Sequence, residues 1–69
     1  MTSNRLEGDW RQVRGWVKEQ WGRLTDDDLM VIDGSIDRLA GRVQERYGYE
    51  LDHAEREVRE WNARRRDNI

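Results

Sequence analysis

The sequence predicts an all-α fold, four short helices forming two similar helix-turn-helix hairpins. Three observations predict it. Apolar residues recur at spacings of three and four along most of the chain, the signature of an amphipathic helix. Residues 15–29 hold a helix end, a turn and a helix start in one short stretch. The chain also repeats itself. Gly8, Gly15 and Gly22 are seven apart, as are Gly34, Gly41 and Gly48, and the two sets are offset by 26. At that offset Val13 falls on Leu39, Val17 on Val43, Glu19 on Glu45 and Trp21 on Tyr47. Two hairpins can bury their stripes on each other, and neither can do so alone.

Helix 1 is predicted from residue 4 or 9 to residue 21. Asn4 with Glu7 fits a capping pair. Leu6, Trp10, Val13, Val17, Trp21 and Leu24 make its apolar stripe, with Arg11, Arg14, Lys18 and Glu19 turned away. Gly22 reads as the left-handed residue past the helix end, and Leu24 can fold back on the helix it leaves. Thr25 reads as the N-cap of helix 2, with Asp28 in the capping-box position. Asp26 and Asp27 suit the positive end of that helix.

Helix 2 spans about residues 26–33, with Leu29, Met30, Val31 and Ile32 as its apolar run, and Gly34 ends it. Helix 3 spans about 35–47, capped by Ser35, with Ile36, Leu39, Ala40, Val43 and Tyr47 inward and Gly48 as its end. Helix 4 spans about 51–64, with Asp52 near its start and Leu51, Ala54, Val58 and Trp61 inward. Glu55 with Arg59 and Glu60 with Arg64 are i,i+4 pairs in the favourable order, worth about 0.2–0.5 kcal/mol each. Residues 65–69 are expected to fray.

Composition sets the bounds. Sixty-nine residues make one domain, and a chain this short buries only about 60% of its unfolded surface. Charged residues are 41% and hydrophobic ones 35%, a polar balance, but four Trp supply anchors for a small core. With no Cys there is neither a disulfide framework nor a Cys-ligated metal site. No apolar run approaches the roughly 20 residues of a membrane span, and the first residues lack a signal-peptide core. The expected setting is soluble and cytoplasmic. Net charge is −2, unevenly spread: residues 26–37 carry five Asp and no base, whereas residues 59–69 balance to +2. A nucleic-acid footprint asks for a basic face, which the chain as a whole does not supply.

Candidate chemistry is sparse. Asp26, Asp27 and Asp28 are consecutive, unlike the alternate ligands of a calcium loop, so helix capping is the better reading. His53 is the only His and sits among Asp52, Glu55 and Arg56. The hydroxyls of Thr2, Ser3, Thr25 and Ser35 have no base partner of the kind nucleophilic catalysis needs. We expect no enzyme, no metal, no cofactor and no small-molecule substrate. Trp residues can stack on bases, but Trp10, Trp21 and Trp61 lie on apolar stripes and read as core. Trp16 lies about 95° from the centre of the helix 1 stripe by helical geometry, and is either a core-edge residue or an exposed contact point. Gly15 and Gly41 interrupt helices at about 1 kcal/mol each. Either another backbone passes close to them or those helices are weak. Arg64, Arg65 and Arg66 either hold phosphates or an acidic partner or serve solubility and the helix dipole.

The motifs Gly8-Asp9-Trp10, Val17-Lys18-Glu19-Gln20-Trp21-Gly22, Leu24-Thr25-Asp26-Asp27-Asp28, Ile32-Asp33-Gly34, Gly41-Arg42-Val43-Gln44-Glu45-Arg46-Tyr47-Gly48-Tyr49 and Ala54-Glu55-Arg56-Glu57-Val58 with Trp61 together resemble the CsbD-like family of small bacterial stress-response proteins, in its short proteobacterial branch. The resemblance covers about residues 7–61. It implies a small four-helix bundle of two crossed helical hairpins, of the sterile-alpha-motif or duplicated helix-hairpin-helix type. It also implies a cytoplasmic protein of the general stress response, and it carries no catalytic residues. Trp16 departs from the polar residue expected there, and residues 64–66 lie outside the match. The expected mode of action is contact through a surface, with a protein partner or self-association first. Nucleic-acid binding through the turns and the Arg64, Arg65 and Arg66 tail is the rival. Each turn has one glycine, at Gly22 and Gly48, where a phosphate-gripping hairpin has two.

Overall fold

The computed structural model describes Leu6 and residues 9–67, with side chains as far as Arg65. Four helices follow one another: α1 (Trp10–Gln20), α2 (Asp26–Ile32), α3 (Ile36–Tyr47) and α4 (Leu51–Asp67). No strand occurs among the described residues.

α1 takes the later of its two possible starts. The Asp9 carboxylate accepts the Arg11 N–H at 3.1 Å and so caps the helix. The pairing of Asn4 with Glu7 lies outside the described residues. Leu6 is buried, but not as a stripe residue of α1. Its N–H donates to the Gly34 carbonyl at 2.6 Å, so Leu6 is tied to the corner between α2 and α3.

The first turn corrects the sequence reading. Gly22 does not adopt the left-handed conformation; among the described glycines only Gly34 and Gly48 do. α1 instead ends on Trp21, which leaves the helix at φ −125° and ψ 81°. That residue is pinned by its side chain: the Trp21 and Trp61 rings meet edge to face at 5.1 Å, and with Trp21 held there the turn closes without a left-handed residue. The Leu24 N–H donates to the Trp21 carbonyl at 3.1 Å, and Leu24 drops into the core. Arg23 ties the turn to the far end of α3. Its N–H donates to the Tyr47 hydroxyl at 3.3 Å, and its guanidinium lies 5.3 Å from the Tyr47 ring centre.

α2 opens on a capping box. The Thr25 hydroxyl accepts the Asp28 N–H at 3.1 Å, and the Asp28 carboxylate accepts the Thr25 N–H at 2.9 Å. It closes through two successive left-handed residues, Asp33 (φ 44°) and Gly34 (φ 83°). Asp is among the few non-glycine residues that tolerate this region. Ser35 caps α3 by accepting the Arg38 N–H at 3.3 Å, while the Arg38 guanidinium donates to the Val31 carbonyl at 3.2 Å. Gly48 ends α3 with φ 70°, its N–H donating to the Gln44 carbonyl.

The core gathers Val13, Val17, Trp21, Leu24, Leu29, Ile32, Leu39, Ala40, Val43, Ala54, Val58 and Trp61, together with Leu6. Trp10, Ile36, Tyr47 and Tyr49 pack half-buried against it. Leu51, expected inward, is 45% exposed. It is the first residue of α4, and the inward stripe begins one turn later at Ala54. α4 also continues to Asp67 rather than fraying after Arg64. The pairs Glu55–Arg59 and Glu60–Arg64 do not form. Among the described residues of this helix, His53 Nε2 lies 3.8 Å from the Glu57 carboxylate. Exposed pairs of that kind gain little over hydration.

α3 is the central element, packed against both α2 and α4. The two halves of the chain are therefore not packed alike. α3 and α4 approach closely along their backbones, and α1 and α2 do not.

Candidate interaction surface

The most buried of the charged groups belongs to the scaffold. Asp28 is 2% exposed, the one charged side chain among the buried residues described. The Arg46 guanidinium holds it with two hydrogen bonds, Nε to Oδ2 at 2.8 Å and Nη2 to Oδ1 at 2.9 Å. Arg42 stands 3.6 Å from Oδ1, and the Thr25 N–H donates to Oδ2 at 2.9 Å. The hydrogen bonds from Arg46 keep this carboxyl well below the usual carboxylate range, helped by the Thr25 N–H and opposed by burial. Arg42 and Arg46 themselves remain 31% and 42% exposed, so the carboxylate is roofed by wet guanidiniums. Every oxygen of Asp28 is committed. The sequence reading placed Asp28 in the capping box and missed Arg46. The available signal was that Arg42 and Arg46, one helical turn apart, present two bases on one face of α3.

The other polar candidates are also spent on structure. The Thr25 and Ser35 hydroxyls cap helices. His53 lies flat on Tyr49, ring centres 4.1 Å apart, and Tyr49 stacks on Tyr47 at 5.5 Å. Thr2 and Ser3 lie outside the described residues.

Trp16 is 41% exposed, which resolves the alternative in favour of a surface residue. It is not bare. The Arg65 guanidinium sits 5.8 Å from the centre of its ring and 5.5 Å from that of Trp61, in range for a cation–π contact with each. Arg65 also donates to the Asn62 side chain at 2.7 Å. Two features that the sequence offered separately, the off-stripe tryptophan and the basic end of α4, thus meet in one cluster. Arg64 is exposed, and the Arg66 side chain lies outside the described residues.

The opposite flank of α1 borders α2. Arg11, Arg14, Gly15 and Lys18 line one side of an open groove of about 510 Å³, and Asp26, Leu29 and Met30 line the other. Lys18 reaches Asp26 across one end at 3.5 Å. Met30 is 71% exposed and Val31 44%, so half of the apolar run of α2 faces outward. A Cβ built on Gly15 or on Gly41 meets nothing within 4 Å. Close backbone packing within this chain is therefore not the reason for either glycine. Gly41 is half-buried on α3 and takes no part in the groove.

Among the described residues no three His, Cys, Asp or Glu converge as a metal site would require, and no described helix is long and apolar enough to cross a membrane.

Comparison with known proteins identifies relatives of the chain. The family model described as CsbD-like matches residues 4–56. The UPF0337 protein YjbJ of Escherichia coli K12 is 53% identical over 64 residues, covering 93% of this chain and 93% of its own. A UPF0337 protein of Pectobacterium atrosepticum is 57% identical over 61 residues, 88% of each chain. One from Pseudomonas aeruginosa is 48% identical over 64 residues, covering 93% of this chain and 98% of its own. With matches over most of its length at this identity, the chain belongs to the CsbD-like family, in the branch typified by YjbJ.

Proposed function

We propose that this protein acts without catalysis, through contacts made by its surface, as a cytoplasmic component of a bacterial general stress response. The observation that carries the reading is Trp16, a tryptophan 41% exposed on a helix that has ample apolar residues for its own core. Exposed Trp and Arg side chains are the residue types most enriched at the energetic centres of protein interfaces. The Trp16–Arg65 cluster supplies both, on two helices held together by the core. The commitment of Asp28, Thr25, Ser35 and His53 to packing and capping supports the same reading.

The bundle itself we read as two crossed hairpins of the sterile-alpha-motif or duplicated helix-hairpin-helix kind. The offset of 26 supports this, although the two halves pack differently. Nucleic-acid binding through the turns ranks below a protein partner. Exposed Asp26 and Asp27 stand directly after the first turn and repel phosphate.

The test is complementation. A strain lacking the gene is supplied with the wild-type protein or with the Trp16→Ala/Arg65→Ala variant, and survival in stationary phase is scored. We expect the variant to be folded by circular dichroism, to accumulate normally, and to fail to restore survival. Full rescue by a variant without this cluster would overturn the reading.

A further inference from the structure

The groove between α1 and α2 carries opposite charges on its two lips. The α1 lip is basic, with Arg11, Arg14 and Lys18; the α2 lip bears Asp26, with exposed Asp27 beside it. Arg11 and Arg14 have no ionic partner among the described residues. Lys18 and Asp26 pair at 3.5 Å, but their side chains are 45% and 92% exposed, so that pair exchanges partners at little cost. The α2 lip also raises Met30, 71% exposed, and the α1 lip offers the open space beside Gly15.

A groove with one basic and one acidic lip is complementary to itself. In an isologous interface the two-fold axis sets each patch against the other member of the pair. A two-fold axis running along this groove lays the basic α1 lip of one copy on the acidic α2 lip of the other, twice. It also brings Met30 of each copy toward the Gly15 space of the other. We propose that this groove is where two copies of the chain meet. A free acidic peptide fits less well, because Asp26 and Asp27 repel it. A polyanion such as a nucleic acid meets the same obstacle. Gly15 then has a purpose outside its own fold: a side chain there is accommodated within the protomer but obstructs the second copy. This inference does not depend on the Trp16–Arg65 cluster, which lies on the other flank of α1.

Sedimentation velocity across a concentration series tests it. The wild type is expected to pass from monomer to dimer below about 500 μM, and to shift back toward monomer as salt rises to about 0.5 M. The variant Arg11→Glu/Arg14→Glu has two acidic lips, and Asp26→Lys/Asp27→Lys has two basic ones. Each alone is expected to stay monomeric, and an equimolar mixture is expected to form the heterodimer. Gly15→Leu, which leaves the charges intact, is expected to weaken self-association at least tenfold while the helical spectrum is retained. A wild type that stays monomeric throughout overturns the proposal. So does a dimer that tightens with salt, or one that survives both charge reversals. Saturable binding of a short DNA duplex to monomeric wild type, lost in Arg11→Glu/Arg14→Glu, overturns it in favour of a polyanion site. If a reversed variant does not fold, the salt response and Gly15→Leu still decide.

Discussion

The two halves of the chain, laid on each other at the offset of 26, share a scaffold and differ in what they do with it. In the second half Arg42 and Arg46 reach across to α2 and hold the buried Asp28. The first-half positions that correspond to those arginines are Trp16 and Gln20, and the counterpart of Asp28 is Ala54. Ala54 is fully buried against apolar neighbours and needs no cation. One half therefore spends its outward helix positions on closing the fold. The other closes with apolar contacts and leaves Trp16 at the surface, 41% exposed, under Arg65. The turns diverge in the same way. The first is fixed by side chains, namely Trp21 against Trp61, Leu24 in the core and the Thr25–Asp28 capping box. The second is fixed by backbone, through left-handed Gly48. A duplicated frame can thus keep its apolar register while one copy gives up a structural contact and gains a free face.

Substitutions can break or sharpen this contrast. The largest effect is expected at the tryptophan pair that locks the first turn. Trp21→Ala should lower unfolding free energy by about 3–5 kcal/mol, because a ring 3% exposed leaves a cavity and its edge-to-face partner. Urea titration followed by circular dichroism reads this directly.

Next is the polar clamp. Asp28→Ala removes both a capping box and two charge-assisted hydrogen bonds and should cost about 2–3 kcal/mol. Ala54 already is the small residue there, and the contrast between the positions is the point. The clamp is also acid-sensitive. Asp28 is held in its charged form in the folded state, so its contribution is present above the pKa of an unfolded Asp, about 3.9, and is lost as pH falls below that value. Stability should drop between neutral pH and about pH 3 by more in the wild type than in Asp28→Asn. Equal slopes would mean that Arg46 contributes nothing to this site.

Smaller effects separate the glycines. Gly48→Ala forces a side chain into φ 70° and should destabilise by about 1 kcal/mol, whereas Gly22→Ala, with ordinary backbone and open space, should be near neutral. Gly15→Ala and Gly41→Ala should each stabilise by up to about 1 kcal/mol, since a Cβ meets nothing at either site and alanine is the better helix former. Thermal unfolding of the four variants side by side would rank them.

Much of this was legible in the residues. Apolar spacing located α1, α3 and α4 and most of the core, and capping chemistry at Thr25 located α2, whose continuous apolar run alone would also fit a strand. What escaped were the features that depend on relations between helices. Asp28 reads as an N-terminal cap acid whether or not a base from α3 lies above it, and nothing local to Arg46 names its partner. Gly22 carries the usual helix-ending signal, but Trp21 leaves the helix early because Trp61, forty residues on, holds its ring. Leu51 matches the inward period and is exposed because it stands at a helix end. For Trp16 the period gave the angle but not the covering; the Arg65 guanidinium over it comes from an α4 that runs longer than its pattern suggested.

The most direct measurement is the unfolding free energy of Trp16→Ala beside that of Trp21→Ala, in urea at neutral pH. If Trp16 stands outside the closure of the fold, its loss should cost under about 1 kcal/mol, a small fraction of the Trp21→Ala value. A cost for Trp16→Ala as large as that for Trp21→Ala would contradict the division between the halves. It would make Trp16 part of the core and leave α1 without its free face.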